Sequence, residues 1–65
     1  MTIHEVQDQQ FTVTLSRNEL VILNNALNEI CNGIDAPEFE TRIGATMEDA
    51  RLLLREVHRA IDRAR

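Results

Sequence analysis

The chain predicts a mainly α domain with a minor β part: three short helices preceded by an N-terminal β-strand or loose hairpin. Three observations carry that reading. Leu20, Leu23, Leu27 and Ile30 recur at spacings of three and four, which puts them on one helical face. Phe11-Thr12-Val13-Thr14-Leu15 alternates apolar and polar with period two, the mark of a half-buried strand. Helix start signals precede three segments, and Gly33 and Gly44 follow the first two.

Taken in order, residues 1–10 are polar and rich in Gln. Thr2 to Val6 is a candidate strand, and Gln7-Asp8-Gln9-Gln10 a turn or frayed arm. The strand over 11–15 turns Phe11, Val13 and Leu15 inward and needs a partner. That partner is either residues 2–6 or the same strand of a second subunit. Ser16-Arg17-Asn18-Glu19 has the form of a capping box, with Leu15 and Leu20 placed as a hydrophobic staple. The first helix then runs from 17 to 32, its face widened by Ile22 and Ala26, and stops at a left-handed Gly33.

Asp35 is a second cap, with Glu38 three residues on and Pro37 in the first turn. A short helix over 36–43 buries Phe39 and Ile43, with Ile34 inward just before it. Gly44 ends it. Thr46 opens the third helix, about 47–63, with Glu48 and Asp49 where the helix dipole favours acids. Met47, Ala50, Leu54, Val57, Ile61 and Ala64 follow a three–four spacing. The 65 residues make one small domain.

A chain this short buries only about 60% of its unfolded surface, so its core is marginal. Small scaffolds recruit disulfides, a metal or a partner. The lone Cys31 makes no internal disulfide, and Cys31, His4 and His58 do not supply a zinc set. Oligomerisation remains, and the sequence predicts a homodimer. Its candidate interface is Phe11 and Val13, with the off-face apolar residues Val21 and Leu52. No apolar run approaches the roughly 20 residues of a membrane span. The start, Met1-Thr2-Ile3-His4-Glu5, lacks the pattern of a signal peptide. With a single Cys, this gives the expectation of a cytoplasmic protein.

Net charge is −4 and uneven. Residues 1–50 carry nine acids against Arg17 and Arg42; residues 51–65 carry five Arg against Glu56 and Asp62, so the two parts are −7 and +3. Glu29, Asp35, Glu38, Glu40, Glu48 and Asp49 lie at one helix end and two helix starts, a candidate acidic surface for a basic protein partner. Helix capping accounts for part of that cluster. Arg51, Arg55, Arg59 and Arg63 recur every four residues and form a basic ladder. It suits phosphates or a partner's carboxylates. Alternatively it pairs locally: Glu48 with Arg51, Glu56 with Arg59, Asp62 with Arg65.

Residues 39–54 resemble the helix-turn-helix motif of many bacterial DNA-binding domains. Gly44 falls at the turn, and Phe39, Ile43, Ala45, Ala50 and Leu53 match the apolar positions. The resemblance covers about a quarter of the chain and implies a helix-turn-helix-like arrangement of the last two helices. Glu40 stands where the motif has a small residue, and Glu48 and Asp49 open the helix that would enter the major groove. Acids there repel phosphate, the main source of affinity, so nucleic acid is the disfavoured partner. Two phenylalanines offer no stacking platform for single strands.

No phosphate loop, His-x-x-x-His or activated thiol is legible, so neither an enzyme nor a cofactor is expected. The expected function is a small bacterial protein-interaction module: a regulator or the inhibitor half of a toxin pair. A helix-turn-helix DNA-binding regulator is the alternative.

Overall fold

The computed structural model describes residues 1–63, and the fold is mostly helical behind an N-terminal hairpin. Strands β1 (Thr2–Gln7) and β2 (Gln10–Thr14) pair antiparallel. The strand over 11–15 therefore finds its partner within the chain. Asp8 and Gln9 make the turn, and Gln9 takes a left-handed φ of 62°. Ile3 stands opposite Val13 and Glu5 opposite Phe11, but Gln7 pairs with Gln10. Val6 is the extra residue of that register shift.

Helix α1 (Arg17–Gly33) begins as its sequence dictates. The Glu19 amide donates to Ser16 Oγ (3.1 Å) and the Ser16 amide donates back to Glu19 Oε1 (2.9 Å). Helices α2 (Ala36–Ile43) and α3 (Met47–Arg63) follow. Gly44 separates them at φ 81°, and its amide donates to the Glu40 carbonyl (2.9 Å). Thr46 Oγ1 accepts from the Asp49 amide (3.1 Å) and so caps α3.

Two caps depart from expectation. Gly33 does not stop α1 in a left-handed turn; it is the last helical residue, and Ile34 leaves in an extended conformation. Asp35 precedes α2 but makes no side-chain cap. An N-cap oxygen takes the amide of the second or third helical residue. Here the second is Pro37, which has none, and the third, Glu38, donates to the Asp35 carbonyl (3.0 Å).

The core sits where α1, α2 and α3 converge. Phe39, Cys31 and Ala50 are buried together, with Ile30, Ile34, Met47 and Leu54 packed against them. Leu27 and Val57 extend the buried line between α1 and α3. Leu15, Leu20 and Ile61 are half-buried. Four expected core residues lie outside it: Phe11 (59% exposed), Val13 (46%), Leu23 (40%) and Ile43 (38%). Phe11 and Val13 face solvent because neither strand packs on a helix; the hairpin meets α1 only near Met1 and Leu15. Leu23 is displaced because the line of closest approach runs through Leu20, Asn24, Leu27 and Cys31. Ala64 lies outside the described residues.

The resulting shape is a slab of 33 × 32 × 16 Å. Its Cα radius of gyration is 13.1 Å, against about 11 Å for a compact chain of this length.

Candidate functional site

Three surfaces gather the residues that carry charge or exposed apolar area. The first is acidic. Packing of Cys31, Phe39 and Ala50 brings the end of α1, all of α2 and the start of α3 to one end of the molecule. Asp35, Glu38, Glu40, Glu48 and Asp49 all lie exposed on those segments, and Glu29 is exposed one turn before the end of α1. Among the described residues only Glu38 of this set has a cation within 4.0 Å, Arg42 at 3.8 Å on the next turn of α2.

The second is basic. α1 and α3 run antiparallel, so Asn24 and Asn28 face Arg51, Arg55, His58 and Arg59 across a groove of about 630 Å³ floored by Leu54. The expected pairs Glu48–Arg51 and Glu56–Arg59 do not form; among the described residues no carboxylate lies within 4.0 Å of Arg51, Arg55 or Arg59. The pairs found on helices here are four apart instead: Glu38–Arg42 and His58–Asp62, both at 3.8 Å. Asp62–Arg65 falls outside the described residues. Arg63 is exposed one turn beyond Arg59. Asn24 Oδ1 is buried and accepts no hydrogen bond. Asn28 Oδ1 accepts from Asn32 Nδ2 (3.1 Å), which leaves Asn28 Nδ2 as a donor. The sequence signal for the two asparagines is their spacing of four, which matches that of the arginines.

The third is apolar. Pairing places Ile3, Glu5, Phe11 and Val13 on one face of the hairpin, apolar except for Glu5, and Met1 and Leu15 continue it. Met1 and Leu15 then share a hollow of about 310 Å³ with Ile22, Leu23 and Ala26 of α1. The hairpin face thus meets the helix at Met1 and Leu15. The Met1 ammonium pairs with Glu19 Oε2 (3.0 Å) at its edge. The Ser16 amide and this ammonium hold the Glu19 carboxyl below its ordinary pKa. Of the four expected interface residues, Phe11 and Val13 belong to the patch. Val21 is half-buried on α1, and Leu52 lies apart in a hollow with Met47, Glu48 and Arg51.

The helix-turn-helix pattern keeps its turn glycine and the packed pair Phe39 and Ala50. Ala45 is half-buried, but Ile43 and Leu53, which the motif would bury, are exposed. Among the described residues, no cluster of three His, Cys, Asp or Glu could hold a metal ion, and no helix is long and apolar enough to cross a membrane. No known protein family, curated protein or solved structure matches the chain.

Proposed function

We propose that this is a small cytoplasmic protein-interaction module that works as a homodimer, closing its apolar patch on a second copy. The observation that carries the reading is surface area. The chain exposes 5323 Å², whereas a compact 7.5 kDa protein exposes about 4,200 Å². The excess, about 1,100 Å², is more than the roughly 800 Å² that one side of a standard interface covers. Much of it is the hairpin, which a lone chain stabilises poorly. Joined to Ile22 and Leu23, Ile3, Phe11 and Val13 form a patch whose natural cover is its own symmetric copy.

In that dimer each copy presents its acidic end, from Asp35 to Asp49, to a basic protein partner. A regulator or the inhibitor half of a toxin pair would use such a surface for fast, selective association. The helix-turn-helix alternative has Gly44 and its turn in its favour, but Glu48 and Asp49 would meet the phosphates first.

Sedimentation equilibrium tests the dimer. Wild type at about 100 µM should sediment as twice 7.5 kDa. Phe11→Asp with Val13→Asp should give the single-chain mass with the helical signal kept, because both positions are exposed in the single chain. A wild type that stays at 7.5 kDa would refute the reading.

A further inference from the structure

The groove between α1 and α3 has a use that self-association does not need. Its arginines stand four residues apart on α3, about 6 Å along the axis at about 1.5 Å per residue. Arg51, Arg55 and Arg59 therefore form a cationic row about 12 Å long, without carboxylate partners among the described residues. The acids nearest in sequence, Glu48, Glu56 and Asp62, come within 4.0 Å of none of these three arginines. Leu54 and the aliphatic stems of the arginines give the groove an apolar floor. On the opposite wall, Asn24 Oδ1 is an orphaned buried acceptor and Asn28 Nδ2 a donor.

We propose that this groove seats an acidic amphipathic helix of a partner protein, with carboxylates at every fourth residue. Such a helix repeats its charges at the same 6 Å interval, about one turn, as the arginine row. Its apolar stripe enters between α1 and α3 over Leu54, in the helix-in-groove mode. An acceptor side chain on its other flank takes the hydrogen bond that Asn28 Nδ2 offers. An extended segment fits less well, because it needs backbone partners along its whole length and the groove offers only two amide side chains. A nucleic-acid strand meets a chain of net charge −4 with no stacking platform.

This rests on the reading of the chain as an interaction module, yet it uses a different surface. At 100° per residue, Asn24 and Asn28 lie roughly 160° around α1 from Ile22 and Ala26, which border the dimer patch. Groove and patch can be occupied together.

The test is a binding titration by fluorescence anisotropy. The probe is an alanine-based helical peptide with three Glu spaced by four beside one Leu stripe; its control carries Gln at those three positions. The Glu peptide should bind about tenfold more tightly than the control. Arg55→Gln should remove most of that advantage and leave the sedimentation mass of wild type unchanged. The side-chain amide signals of Asn24 and Asn28 should shift in NMR spectra on binding. Equal affinity for the two peptides, or an Arg55→Gln protein that keeps the preference, would overturn the proposal. So would tighter binding of a 20-nucleotide single strand or duplex, which would assign the row to phosphates. If wild type sediments as a single chain but the Glu peptide binds as described, the dimer reading alone fails.

Discussion

Replacing Phe39 by Ala should undock α2 and strip most of the stability of the chain. Phe39 is 1% exposed and is the largest fully buried side chain. An aromatic ring hides about 150–250 Å², which at about 25 cal/mol per Å² is about 4–6 kcal/mol. Cavity-forming Phe→Ala changes cost about 3–5 kcal/mol in practice. A domain of 65 residues has about 3–10 kcal/mol in all. The loss is concentrated, because Phe39 is the one buried side chain among those described in α2, and Ile43 is 38% exposed. Cys31 and Ala50 would line the vacancy, and both are too small to close it. Urea melts followed by circular dichroism should therefore shift by about 3 kcal/mol or more. Hydrogen exchange should show the α2 amides losing protection before those in the middle of α1. A change below about 1 kcal/mol, or α2 protection equal to wild type, would refute Phe39 as the anchor.

Leu27→Ala should cost about 2–5 kcal/mol, against about 0.5–2 for Ser16→Ala, since one empties the α1–α3 seam and the other removes a cap; denaturant melts in the reverse order would contradict this. Gly44→Ala should destabilise by about 1–2 kcal/mol because φ is 81° with open space around it, while Gly33→Ala, helical and also unobstructed, should be neutral or stabilising by up to about 1 kcal/mol; thermal melts of the pair check the contrast. Glu19 has a lowered folded pKa, so its stabilisation is present above the ordinary carboxylate value of about 4.3 and is lost as pH falls through the folded value. Glu19→Gln should accordingly flatten the urea midpoint between about pH 6 and pH 3, and an unchanged acid slope would count against the assignment.

Local chemistry was the legible part of this sequence. Ser16 with Glu19, Thr46 with Asp49 and Gly44 each act through a neighbour three or four residues away, so their roles are written in adjacent letters. Asp35 fails for an equally local reason, the missing amide of Pro37. Packing was less legible. The seam of α1 passes through a polar residue, Asn24, and a cysteine, so counting only aliphatic side chains selected Leu23 and overlooked Cys31. Its spacing of four from Leu27 would have found it, and free cysteine is among the most buried residue types. Alternation in Phe11–Leu15 predicts a face that wants cover but not what covers it; among the described residues no helix packs on the strands, and of this stretch Leu15 alone lines a hollow with α1. The groove of Asn24, Asn28 and the arginines needs the antiparallel alignment of α1 with α3, which no single helix reveals.

Because β1 and β2 themselves make no packed contact with the helices, strand pairing and helix packing are separate events in the folding of a single chain. Strand pairing joins residues adjacent in the chain and closes on a timescale of about 1–10 µs. The helical nucleus must instead bring Leu27 and Val57 together across α2, a slower loop closure. In a single chain a substitution in β1 or β2 should therefore change the unfolding rate of the helices little, whereas in the proposed dimer Phe11 and Val13 are coupled to α1 through the shared patch.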